Sequence, residues 1–201
     1  MRARAVALLL VLACGLLAGC TLWRVARLPR LADCPGALAP TNAIADGLVL
    51  RELVRVAGGA VDAGVQLVAE TRGGTLTLVG LTTLGMKAFT VTQTGRTTRV
   101  DAPLGRAWPV PPLNLLRDLH RVHFLAVPGG PFPDGAARHE VEGTTITEVW
   151  RAGRLLTRTF ERPGGRPAGT VRVAFGPDAI RLTNGWCGYE ATIVPMEAPR
   201  P

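Results

Sequence analysis

The chain has 201 residues, enough for one domain with a real core. Its 24 glycines and 16 prolines, with 5% aromatic residues, exclude a helical bundle and suit short strands joined by tight turns. The formal charge of +8 is carried by arginine, with Lys87 the one lysine, and points to an anionic partner, either nucleic acid or lipid headgroups.

Met1-Arg2-Ala3-Arg4 is a short basic start, and Ala5 to Leu17 carries no charge. A basic end, a short apolar core and small residues at a cut make the layout of a signal peptide. The basic end stays on the cytoplasmic side while the apolar core enters the membrane. Leu17-Ala18-Gly19-Cys20 closes the segment and resembles the lipobox of bacterial lipoproteins. That resemblance implies a diacylglycerol on the Cys20 thiol, cleavage before Cys20 and attachment to a membrane through that lipid. Cys14 fits less well, because Val11-Leu12-Ala13 precede it. A membrane-spanning helix is the competing reading, but the uncharged stretch ends at Trp23 and is barely long enough to span.

Export changes the accounts of charge and of cysteine. Without Arg2 and Arg4 the 23 basic residues become 21 against 15 acidic ones, a formal +6. An exported protein meets anionic headgroups rather than nucleic acid. Cys14 leaves with the leader and Cys20 takes the lipid, so Cys34 and Cys187 remain. In an oxidising compartment they are a candidate disulfide; two unpaired thiols are the alternative. By analogy with enteric bacteria, Thr21 in place of Asp after the lipid site leans towards the outer membrane, facing the periplasm. The inner membrane is the other option.

The expected layout is a signal peptide at 1–19, a lipidated N-terminus and tether at 20–46, one β domain at 47–194 and a disordered tail at 195–201. The tether contains Trp23, Arg24, Arg27 and Arg30 with three prolines, Pro29, Pro35 and Pro40. From Leu48 the chain breaks into short alternating runs: Leu48 to Val56, Val65 to Thr71, Thr75 to Leu81 and Met86 to Gln93. Gly-centred turns, Arg72-Gly73-Gly74 and Thr94-Gly95, separate the later runs and suggest an antiparallel meander. Pro109 to Pro112 stops any strand and starts a helix. Over Leu113 to His123 the helical spacing puts Leu115, Leu116, Leu119 and Val122 on one side. Asn114, Arg117, Asp118, His120 and Arg121 fall on the other, so an amphipathic helix of about three turns is expected. Val127 to Ala137, rich in Gly and Pro, reads as a surface loop. Strands return at Thr144 to Trp150, Leu155 to Glu161, Thr170 to Phe175, Ala179 to Thr183 and Tyr189 to Val194.

Catalytic chemistry is scarce. No Gly-rich phosphate loop, metal-spaced cysteine pair or nucleophile elbow occurs. His120 and His123 lie three apart, a spacing that can share a metal, but no third ligand is evident. His139, Glu140 and Glu142 form a polar cluster that suits a solvated edge better than a general acid or base. Trp150, Trp186 and Tyr189 are expected in the core rather than at a site. The chain reads as non-catalytic, with no cofactor.

The lipobox, the strand pair Leu76-Thr77-Leu78-Val79-Gly80 and Met86-Lys87-Ala88-Phe89-Thr90-Val91, the helix Pro112 to Leu119 and the ending Gly188-Tyr189-Glu190-Ala191-Thr192-Ile193 carry a family likeness. The chain resembles an uncharacterised family of bacterial outer-membrane lipoproteins, a domain of unknown function. That family in turn looks like the lipoprotein carrier LolA and its receptor LolB. The likeness implies an α+β, mainly antiparallel fold: an incomplete β-barrel with an amphipathic helix over its concave face. It implies a protein that binds or passes on an acyl chain, a lipid or a lipoprotein. Leu115, Leu116, Leu119 and Val122 would then line a lid over the cavity. A structural or assembly lipoprotein that binds another envelope protein is the alternative.

Overall fold

Period-two burial builds the sheet. In strand β1 (Val49–Gly58) Glu52, Val54 and Val56 are buried while Arg51, Leu53 and Arg55 are exposed. The same alternation runs through β2 (Val61–Arg72), β3 (Thr75–Thr82) and β4 (Lys87–Thr94). A short edge strand, β5 (Thr97–Asp101), follows. After the helical region come β6 (Gly135–Val141), β7 (Thr144–Arg151), β8 (Arg154–Glu161), β9 (Thr170–Phe175), β10 (Ile180–Asn184) and β11 (Tyr189–Pro195). The computed structural model describes residues 29–162 and 169–196. The expected signal peptide, Cys20, Thr21, Trp23, Arg24, Arg27 and the end of the expected tail lie outside the described residues.

The eleven strands form one antiparallel sheet in the order β5-β4-β3-β2-β1-β11-β10-β9-β8-β7-β6. It is two meanders joined at the centre by β1 and β11, with Val54 opposite Ile193 and Val56 opposite Ala191. Turn chemistry fixes the register of the hairpins. Gly73 and Gly74 both have positive φ, 57° and 73°, the conformation a two-residue I′ turn demands. The sheet is not closed, consistent with a partial barrel, and β5 and β6 are its two edges. An ion pair between Arg96, in the β4–β5 turn, and Glu142, in the β6–β7 turn, brings the two edge hairpins together.

The chain passes from one edge of the sheet to the other through residues 102–134, and this crossing carries the helix. Helix α1 (Pro112–Leu119) starts with proline at its first turn and runs on as a π-type turn, His120–Phe124. Among the described residues no helix is long and apolar enough to cross a membrane.

Four differences from the sequence expectation stand out. The helix has no solvated side: Asn114, Asp118, His120 and Arg121 are as buried as Leu115, Leu116, Leu119 and Val122. The described part of the expected tether packs as a strap, with Cys34, Ala39, Thr41 and Ile44 in the core. The expected loop at Val127 to Ala137 ends three residues early, because Gly135 already pairs with Trp150. The last strand extends through Pro195, and the Met196 amide donates to Arg51 O at 2.8 Å.

Candidate functional site: the covered face of the sheet

One face of the sheet is apolar and covered. Val54, Leu67, Leu78, Phe89, Val91, Val173, Leu182 and Ile193 contribute to it from both meanders. What covers it is helix α1 with its π turn and the strap, residues 29–44. Fully burying one Leu or Val side chain stabilises by about 1.5–3 kcal/mol, so apolar packing provides most of the adhesion.

Polar contacts provide the registration. The strap is stitched to the helix at three levels. Asn114 accepts from the Cys34 amide through Oδ1 and donates to Ala32 O through Nδ2, each at 2.8 Å. Arg121 donates to Pro35 O at 2.6 Å. The Ala39 amide donates to His120 Nδ1 at 3.0 Å. A disulfide between Cys34 and Cys187, with Cα atoms 5.8 Å apart, ties the strap to the β10–β11 turn. Four backbone groups of the strap, Ala32 O, Cys34 N, Pro35 O and Ala39 N, thereby gain partners on the helix.

The helix is stitched to the sheet by three buried charged groups. Glu52 of β1 accepts from His123 Nε2 at 2.7 Å. Asp118 takes Arg121 on one oxygen and the Tyr189 hydroxyl on the other, both at 2.6 Å. Arg158 of β8 donates to Glu148 at 2.6 Å and to the carbonyls of Arg121 and Val122, at 2.9 and 2.8 Å. That last arrangement satisfies carbonyls which the end of the helix leaves without an intrahelical donor. Burial pushes the Asp118 carboxyl up from its ordinary range, against the opposing pull of Arg121 and Tyr189. Burial, reinforced by Asp118, pushes the Tyr189 hydroxyl up as well. These groups hold the cover in place.

The expected site residues separate into groups. Cys34 and Cys187 are joined. Leu115, Leu116, Leu119 and Val122 are buried against the sheet. His120 and His123, spaced to share a metal, turn to different partners: both ring nitrogens of His120 are occupied by Ala39 and Gln93, and His123 meets Glu52. His139 is half-buried on edge strand β6, while Glu142 is engaged with Arg96. Trp186 and Tyr189 are core residues, and Trp150 donates to Glu148 Oε2 at 3.1 Å. The residues that sequence reasoning missed are Glu52, Gln93, Glu148 and Arg158. A signal for them exists, since each occupies a core-facing parity position, as in Leu50-x-Glu52-x-Val54 and Ile146-x-Glu148.

A cavity of about 10 Å³ lies between the strap (Gly36, Ala37), the helix end (Arg121, Leu125) and β7–β8 (Ile146, Phe160). That is about room for one water. On the opposite, outer face a pocket of about 410 Å³ is lined by Leu53, Gln66, Thr83, Thr192 and Val194. No curated protein matches the chain. Residues 50–197 match the family model described as "Protein of unknown function (DUF3261)", which spans β1 to β11, and the chain belongs to that family.

Proposed function

We propose that this protein is a non-catalytic lipoprotein, anchored through lipid on Cys20 to the outer membrane and facing the periplasm, which binds or passes on an acyl chain, a lipid or a lipoprotein. The finer reading of the fold belongs to the same proposal: an incomplete barrel of the lipoprotein-carrier kind, with α1 as its lid. One observation carries it. The apolar face of the sheet is covered not by a second sheet but by one short helix and a strap, and polar contacts set the position of both. Such a cover can be exchanged for a ligand of similar apolar surface, at about 0.8 kcal/mol for each methylene buried. The cavity of about 10 Å³ between the strap, the helix end and β7–β8 is too small for an acyl chain, so this reading requires the cover to move. The turn that carries the exposed Leu84 and Met86 lies at the same end of the sheet as Cys187 and the start of the strap, which suits an end held close to a membrane.

Native mass spectrometry of protein extracted from membranes tests this reading. Co-purified lipid, with raised hydrogen exchange in 112–124 when that lipid is bound, is the expected result. Lipid-free protein whose helix stays protected in the presence of added lipid would overturn it.

A second reading, an assembly lipoprotein that docks another envelope protein, is favoured by the outer face. There Leu53 and Val194 sit directly opposite each other on β1 and β11, 50% and 38% exposed, beside the 410 Å³ pocket. Crosslinking in cells from position 53 should then yield one dominant protein partner.

A further inference from the structure

We propose that Arg121 and Arg162, which lie over Trp186, and Arg117, which shares the Gly36 contact with Arg121, form a binding site for a phosphate group. Arg121 has one neighbouring arginine at Trp186 and another at Gly36. Arg121 stands between the others: its guanidinium lies 5.1 Å from the Trp186 ring centroid, and that of Arg162 lies 5.8 Å from the same ring. Arg117 and Arg121 converge on the strap at Gly36. A Cβ added there would stand 2.5 Å from Arg121 Nη2 and 3.3 Å from Arg117 Cδ, so the bare backbone of Gly36 gives both arginines room at the strap.

The acids nearby do not balance this charge. Asp118 is fully used, with Arg121 on one oxygen and Tyr189 on the other. Arg121 directs Nη1 to Asp118 and Nη2 to Pro35 O, and each of these nitrogens carries a second N–H. Asp33, exposed on the strap, is the remaining carboxylate that acts on Arg117. The Nε of Arg117 is buried with no acceptor among the described residues. A buried guanidinium nitrogen without a partner is costly, and burial together with Arg121 disfavours its charge. An incoming anion would relieve both penalties.

Phosphate fits better than a single carboxylate. The planar guanidinium fork matches phosphate oxygens two at a time, and several acceptor oxygens can serve several arginines at once. Trp186 supplies a flat apolar wall, with its Nε1 already committed to Gly169 O at 2.8 Å. The chemistry is the same for free phosphate and for the phosphate of an anionic lipid headgroup. A headgroup source rests on the anchored reading above, because this end of the sheet is where the strap leads back towards Cys20; a free phosphate does not.

The test uses the full chain in neutral detergent, with the Arg Nε–H resonances followed by nitrogen NMR. One arm adds inorganic phosphate; the other adds phosphatidylglycerol to the micelles. The expected result is saturable shifts of the Arg117 and Arg162 resonances in at least one arm, with affinity weakened about tenfold or more in R117Q and in R162Q. Response to phosphatidylglycerol alone assigns a headgroup ligand, and response to inorganic phosphate assigns the free ion. Mass spectrometry of Cys20 reports separately on the anchor, so an unlipidated chain that binds phosphate would end the anchored reading and leave the site standing. Arg162 lies beyond the last ladder pair of β8, so R162Q keeps the fold if R117Q does not. Absence of shifts in both arms, or shifts unchanged in R162Q, would overturn the site.

Discussion

His120 Nε2 lies 2.8 Å from Gln93 Oε1, and the proton between them belongs to the histidine. The Ala39 amide can only donate, so Nδ1 bears the lone pair and Nε2 the hydrogen. Gln93 agrees, since its Nε2 donates to the carbonyls of Ala39 and Gly95 and leaves Oε1 to accept. A second proton on the ring would have no acceptor, and burial holds the His120 pKa down to about 3. The unfolded chain takes up that proton near 6.5, the folded one near 3. Stability is therefore complete above 6.5 and falls as pH drops towards 3, by up to about 1.4 kcal/mol per pH unit. The raised Asp118 carboxyl gives a slope of opposite sign, common to any comparison at position 120. Urea unfolding between pH 7 and 4 should show a shallower loss for H120Q than for the parent. Equal slopes would remove His120 as the source.

The Cys34–Cys187 bond joins positions 153 residues apart. In the chain-entropy model a loop of that length allows up to about 5 kcal/mol of stabilisation, and native disulfides are typically worth 2–5. The C34A/C187A protein should lose stability in that range. Asn114, His120 and Arg121 still hold the strap, so its loss should be local before it is global. Hydrogen exchange should show the amides of Cys34 and Ala39 opening ahead of β1 and β11. Simultaneous opening would mean that the strap and sheet unfold as one unit.

The central strands were legible because each buries one face, which prints a period of two on the sequence. The edges were not. Thr97-Thr98-Arg99-Val100-Asp101 has little to bury on either side, and β6 begins inside a Gly- and Pro-rich stretch whose composition reads as loop. The helix is legible from its apolar spacing, but its polar side, which reads as solvated, is buried. Asn114, His120 and Arg121 find partners in the strap, about 80 residues earlier in the chain, and no local pattern announces such a contact. The cysteine pair is legible only on the expectation that Cys14 leaves with a leader and Cys20 takes a lipid. The charged residues of the covered face were legible in principle, as breaks of parity within apolar strands.

Gly80 stands opposite Phe89 on β4, and the aromatic ring lies over it. A Cβ on Gly80 would sit 2.2 Å from Phe89 Cε1, deep inside contact distance. Phe89 is fully buried and also packs at 6.1 Å from Trp108, so it has little room to yield. G80A should cost about 1–3 kcal/mol through overpacking. Combining it with F89L should recover part of that loss, as read from denaturation midpoints. A neutral G80A would show that the ring moves freely.

Arg158 is the sharpest test of how the helix is held. It neutralises the buried Glu148, caps the carbonyls of Arg121 and Val122, and lies 5.5 Å from the Phe175 ring. R158M removes the charge but keeps much of the bulk. It leaves Glu148 buried with Trp150 as its one remaining partner among the described residues, and the two carbonyls lose a donor. Breaking such a pair from one side costs about 3–5 kcal/mol, because the surviving charge is uncompensated. Replacing both charges, in E148Q/R158M, removes that penalty and leaves only the unsatisfied carbonyls. The double variant should therefore be more stable than R158M alone by at least about 1 kcal/mol. Equal stabilities would mean that Arg158 acts through the helix carbonyls and not through Glu148, which exchange of the 121–125 amides would then report directly.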